Sequence, residues 1–132
     1  MQEFITTLDT LDQIELDLKP GMIVFLTGDL GAGKTTLSSH IIRTMLGDPS
    51  LIVNSPTYTY YQTYGDRIAH FDLYRINHYD DIIRTGIEEI LDSDKYISLI
   101  EWPDRLEGVF TPDVHIRIEK VSVDERRVVI QS

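Results

Sequence analysis

Residues Gly28 to Thr36 read GDLGAGKTT, and Gly28 to Thr35 match the pattern G-x-x-x-x-G-K-[ST] at every position. No other stretch constrains the chain as tightly, because such a loop works only between a buried strand and the first turn of a helix. Both flanks are present. Met22 to Leu26 (MIVFL) is a continuous apolar run, as expected of a strand covered on both faces. Thr35 to Leu46 carries Leu37, Ile41, Ile42, Met45 and Leu46 as a helical stripe, and Gly47 closes it. Glycines let successive backbone N–H groups turn inward around an anion with no Cβ in the way. Lys34 supplies a point charge to the β- and γ-phosphates of a nucleotide, and Thr35 offers its hydroxyl to Mg²⁺. Gly31, Ala32, Gly33 and Thr36 complete the loop and the first turn, whose positive end faces the same anion.

The rest of the chain predicts an α/β domain built around this unit. A short strand, Glu3 to Thr6, precedes LDTLDQIELDLKPG, where Leu11, Ile14 and Leu18 fall at helical spacing before the stop signal Pro20-Gly21. Ser55 to Tyr64 and Arg67 to Tyr74, separated by Gly65-Asp66, read as an antiparallel hairpin. Tyr79 to Leu91 reads as one helix, Tyr96 to Ile100 as a buried strand, and DVHIRIEK with RRVVIQ as two alternating strands joined by a turn near Asp124. The alternation of strands and helices implies a largely parallel central sheet flanked by helices, with antiparallel strands from the hairpin and the C-terminus. With no linker or repeat, residues 1–132 read as a single P-loop domain.

Composition narrows the function. The chain has no cysteine, which excludes disulfides and thiolate metal sites. MQEFITT has neither the basic nor the apolar region of a signal peptide, and no apolar run has the length of a membrane span, so a cytoplasmic location with no membrane contact is expected. The formal net charge of −10, without a Lys/Arg-rich run, repels a nucleic-acid backbone and suits a basic protein partner better.

A phosphate cradle needs an acid at the end of a neighbouring strand to organise Mg²⁺ and water. Two strands offer one: Ile97 to Glu101 (ISLIE) and Ile68 to Asp72 (IAHFD), the second interrupted by His70. Either acid could hold the metal while the other positions water. Ser55-Pro56-Thr57-Tyr58-Thr59 sits where many P-loop proteins carry a segment that senses the γ-phosphate, although its local pattern is equally that of a Thr/Tyr-rich edge strand begun by proline. His40, His70, His78 and His115 lack metal-ligand spacing and read as structural or surface residues. Arg43, Arg75 and Arg84 are the nearest arginines by sequence, each at a solvated helix or loop position. No N-K-x-D segment selects guanine, and no arginine-rich insertion forms the lid of a small-molecule kinase.

GDLGAGKTT, SPTYT, HFDLYR (His70 to Arg75) and IEWPD (Ile100 to Asp104) together resemble, in order and spacing, the bacterial TsaE family, the ATPase of tRNA threonylcarbamoyladenosine biosynthesis. TGIEEIL also resembles a helix of that family, and the likeness extends over nearly the whole chain. It implies ATP and Mg²⁺ as ligands, weak intrinsic hydrolysis, and work beside two larger proteins, TsaB and TsaD, which modify adenosine 37 of tRNA. The tRNA would then be met only through the complex. By position it makes Lys34 and Thr35 the loop lysine and metal-ligand threonine, Asp72 the functional aspartate, and Glu101 the glutamate at the magnesium. Trp102 falls on the tryptophan beside the site, Thr57 with Ser55 on the switch, and Thr10 on a threonine near the nucleotide base. Two departures stand out: the helix after Thr10 is short, and Asp104 replaces a common Glu. The competing reading is a stand-alone small P-loop kinase with Asp72 as base for an acceptor hydroxyl.

Overall fold

The computed structural model describes residues 1–132 apart from Leu30, Ser55, Thr57 and Tyr58 and apart from the side chains of Leu8 and Asp12. Its strands are β1 (Gln2–Thr7), β2 (Ile23–Thr27), β3 (Tyr61–Tyr64), β4 (Ile68–Asp72), β5 (Ile97–Glu101), β6 (Val114–Lys120) and β7 (Glu125–Gln131). The helices are α1 (Lys34–Leu46), α2 (Tyr79–Thr85) and α3 (Ile87–Leu91). The strands form one seven-stranded sheet in the order β1-β7-β6-β2-β5-β4-β3. Its centre is parallel, β2 pairing with β5 and β6 and β4 with β5. The hairpin strand β3 and the C-terminal β7, with β1 beyond it, join antiparallel at the two margins. This is the sheet the sequence implies.

The apolar run of β2 divides between two cores because successive side chains point to opposite faces. Val24 and Leu26 join Leu37, Ile41 and Ile42 of α1 on one face. Ile23 and Phe25 join Phe71, Ile82, Ile87 and Leu91 under α2 and α3 on the other. The same alternation sorts the strand-end acids. Ile68 and Ile97 belong to the α1 core, so His70 and Asp72, and Leu99 and Glu101, face the P-loop helix as well.

Three expectations are corrected. Residues 8–20 are not a helix: a 3-10 turn, Leu8–Gln13, is followed by an extended segment. Ile14, Leu16 and Leu18 alternate with exposed Glu15 and Asp17, and this two-residue period places the apolar side chains against α1 where a helical period would not. The helix expected over Tyr79 to Leu91 is broken at Gly86, whose φ of 76° ends α2. The Tyr79 hydroxyl donates to Glu88 across the break, and this bond pushes the tyrosine pKa up to about 12. The second hairpin strand is also shorter than its sequence pattern, because the chain leaves the ladder after Asp72 and turns into the helical layer; of the first, Ser55, Thr57 and Tyr58 lie outside the described residues.

Gly28 ends β2 against the neighbouring strand. A Cβ built there would lie 2.3 Å from the carbonyl oxygen of Ile118 on β6, and neither backbone can yield without disturbing the ladder. Gly28→Ala should therefore lower unfolding stability by about 2 kcal/mol. A urea titration checks this, and a midpoint equal to that of the wild type would show that loop and strand are not packed as described.

Candidate functional site

The loop leaves β2 at Thr27, turns through Gly28 to Gly33, and enters α1 at Lys34. Ala32 N–H donates to the Asp29 carbonyl at 3.1 Å, which closes the loop on itself. Lys34 is 4% exposed, yet its ammonium is not in the core. It donates to the carbonyl oxygens of Gly28 at 2.5 Å and Asp29 at 2.9 Å, and it lies 4.3 Å from the centre of the Trp102 ring. Burial pushes the Lys34 pKa below its ordinary value, while the carboxylates of Glu101, Asp29, Asp72 and Asp104 pull it back up. Four acids thus act on one lysine.

Trp102 owes its place to an unusual backbone. Its φ of 58° and ψ of 60° put a bulky residue in the left-handed region, immediately before Pro103. Such conformations cost about 1–3 kcal/mol and persist where the surroundings enforce them. Here the turn carries the indole from the end of β5 to Lys34, with the Tyr74 ring 4.8 Å away on the other strand end.

Glu101 is 2% exposed and both of its oxygens are engaged. The Thr35 hydroxyl donates to Oε1 at 2.9 Å, and His70 Nε2 meets Oε2 at 2.5 Å. His70 is fully buried, and among the described residues its Nδ1 has no partner. Asp72, 8% exposed, sits directly across from Glu101 in the β4–β5 register, and its Oδ1 accepts the Tyr74 N–H at 3.0 Å.

Of the residues singled out in the sequence, Lys34, Thr35, Asp72, Glu101 and Trp102 thus meet at one place, next to Gly31, Ala32 and Gly33. Thr36 is exposed on the outer side of the first helical turn, in a hollow shared with Asp9 and His40. Thr10 lies on the neighbouring 3-10 turn, but its hydroxyl is spent on capping that turn, bonded to Thr6 and Thr7. Ser55 and Thr57 lie outside the described residues. Arg43 donates to the Leu51 carbonyl at 2.7 Å, and Arg84 is exposed beside Asp81, both pointed at their own surroundings.

Three contributors were missed. His70 had been read as an interruption of its strand, yet it stands two residues before Asp72 and so shares its face. Arg117 pairs with Thr27 across β2 and β6 and lines, with Gly28, Asp29, Asp104 and Lys120, a cleft of about 500 Å³ beside the loop. Arg126 reaches the loop from β7, with its Nε 2.8 Å from the Ala32 carbonyl. Its signal was present in RRVVIQ, where Arg126 is in phase with Val128 and Ile130.

The donor set suits a small hard cation. Thr35 and Glu101 offer a hydroxyl and a carboxylate within hydrogen-bond distance of each other beside the phosphate cradle. Among the described residues no three acidic or imidazole side chains form a protein-only cage. Mg²⁺ does not need one, since it takes one or two protein oxygens and fills its shell from phosphate and water.

The family model for the threonylcarbamoyl adenosine biosynthesis protein TsaE matches residues 2–129. The chain is 38% identical over 113 residues to the tRNA threonylcarbamoyladenosine biosynthesis protein TsaE of Rickettsia conorii, a match covering 83% of this chain and 63% of that protein. It is 35% identical over 117 residues to the protein of the same name from Haemophilus influenzae, covering 86% and 72%. With the Bacillus subtilis protein the identity is 33% over 114 residues, covering 83% and 69%. The chain thus spans a little under two thirds of the Rickettsia relative's length. In fold it is similar to the crystal structure of Bacillus subtilis YdiB, with a TM-score of 0.68 at 24% identity over 98% of this chain and 84% of that one.

Proposed function

This chain belongs to the TsaE family of threonylcarbamoyl adenosine biosynthesis proteins, and from that premise we propose that it is the ATP-binding and ATP-hydrolysing subunit of tRNA threonylcarbamoyladenosine modification, acting with TsaB and TsaD. The observation that carries the proposal is the Thr35–Glu101 contact at 2.9 Å, which joins the loop hydroxyl to a strand-end carboxylate. In this reading Gly31, Ala32 and Gly33 cradle the phosphates, Lys34 leaves the Gly28 and Asp29 carbonyls for the β- and γ-phosphate oxygens, and Trp102 flanks the nucleotide. Mg²⁺, held by Thr35 and Glu101, would neutralise charge on the transferring phosphoryl oxygens. Asp72 orients the attacking water and takes its proton. His70 fixes the Glu101 carboxylate from behind.

The formal charge of −10 favours leaving tRNA to the partner proteins. No described helix is long and apolar enough to cross a membrane, and we assign the protein to the cytoplasm with the rest of the pathway. Phosphoryl transfer needs a cation over the developing charge, and supplying it in trans raises rates about 10³- to 10⁵-fold where it is used. Phosphate release by the chain alone should accordingly be slow, and TsaB with TsaD should accelerate it without any acceptor molecule. Fast turnover by the isolated chain would overturn the partner dependence. Phosphate transfer to an acceptor hydroxyl, with none released to water, would make the protein a small kinase with Asp72 as its base.

A further inference from the structure

Arg126 occupies a place where β7 would ordinarily carry an apolar residue. Glu125 and Arg127 are exposed, whereas Arg126, Val128 and Ile130 point inward, and Arg126 is 3% exposed. Its Nε donates to the Ala32 carbonyl at 2.8 Å and Nη2 to the Gly31 carbonyl at 3.4 Å. Nη1 donates to the carbonyls of Ser122, Val123 and Glu125 at 3.0, 3.2 and 3.0 Å. Among the described residues no carboxylate forms an ion pair with it. A buried cation answered by carbonyl dipoles alone is expensive to maintain, and an apolar residue would fill the same position at lower cost. Packing of β7 against the sheet core therefore does not explain it.

The peptides it touches do. In a trans peptide the C=O and N–H point in opposite directions. The peptide that offers the Ala32 oxygen carries the N–H of Gly33, the residue immediately before α1. Holding that oxygen at the back of the loop turns the N–H to the front, where the phosphate cradle opens, and a positive charge on the oxygen polarises the N–H as a donor. The Gly31 oxygen belongs to the peptide whose N–H, that of Ala32, closes the loop on Asp29. The same guanidinium fastens the β6–β7 turn to the loop through Ser122, Val123 and Glu125.

We propose that Arg126 is a positioning residue that sets the loop from behind, turning the Gly33 N–H toward the phosphate site and bracing the Ala32 peptide in its bond to Asp29. The role rests on reading the loop as the nucleotide site. The test compares the wild type with Arg126→Lys, which keeps the charge but cannot fork between two sets of carbonyls. Amide hydrogen exchange is followed in the nucleotide-free protein, and ATP and ADP affinities are measured by calorimetry. In the variant the Ala32 amide, which is bonded to Asp29, should exchange faster while Val128 and Ile130 keep their protection. Affinity should fall about ten-fold for both nucleotides, since both carry the β-phosphate. Loop exchange and affinities within two-fold of the wild type would overturn the proposal. A wild type that binds no ATP would defeat the nucleotide reading, and loop exchange would still decide the role of Arg126. Should Arg126→Lys fail to fold, ¹⁵N spectra of the wild-type arginine Nε–H groups decide. The Arg126 resonance should be protected and should shift on ADP addition, and a resonance unmoved at saturation overturns the assignment.

Discussion

Lys34→Ala should lose ATP affinity by about 100-fold, the consequence of deleting one or two charge-assisted bonds to phosphate. The fold should survive. The lysine ammonium is turned to the loop: it caps the Gly28 and Asp29 carbonyls and covers Trp102. Removing it strips those carbonyls of a donor, at about 1–2 kcal/mol of stability. The protein supplies its own probe, because Trp102 is the sole tryptophan and lies 4.3 Å from the lysine ammonium. In the wild type, ATP that draws Lys34 off the indole should change the emission. In the variant the titration should shift to far higher nucleotide concentration, with the circular dichroism spectrum unchanged. Equal affinities would remove Lys34 from the site.

Asp72→Ala should abolish the partner-stimulated release of phosphate and leave ATP binding within about three-fold, a split expected of a group that acts in the chemical step. We propose the division of labour between the two acids from their contacts. Glu101 is held at one oxygen by Thr35 and at the other by His70, a rigid placement that suits a metal ligand. Asp72 sits one strand over in the same register, its Oδ1 held by the Tyr74 N–H. The expected loss in the stimulated rate is about 10²- to 10⁴-fold, the range for a positioned general base. Phosphate release with both partners, beside calorimetric binding of ATP, checks it. A full stimulated rate in the variant would pass the water-orienting role to another residue.

How much of this was legible in the chain depended on whether the information was local. The phosphate loop was legible because glycine, lysine and threonine requirements are fixed by a single contiguous backbone turn. The parallel centre was legible because MIVFL is apolar throughout and ISLIE mostly so up to its terminal carboxylate. Residues 14–18 were misjudged because Ile14 and Leu18 satisfy a four-residue helical step as readily as Ile14, Leu16 and Leu18 satisfy a two-residue one, and packing against α1 decides. Gly86 was passed over inside an otherwise periodic helix. His70 and Arg126 escaped for a different reason. Each is a polar residue on an inward strand position, and what such a residue meets is set by a strand or loop far away in sequence. Alternation tells that the side chain points in, never what waits there.

The sheet order bears on how the protein comes off the ribosome. β2, which carries the loop, is flanked by β5 and β6, and β1 finds its neighbour in β7. Neither partner of β2 exists until most of the chain has been synthesised, and Arg126 reaches Ala32 from 94 positions downstream. A nascent chain exposing MIVFL therefore carries a bare hydrophobic strand and an unformed loop for most of its synthesis. Nucleotide cannot rescue it by binding early, because the pocket that would reward folding is assembled last. Competence to bind therefore comes with the docking of β6 and β7, late in the order of synthesis.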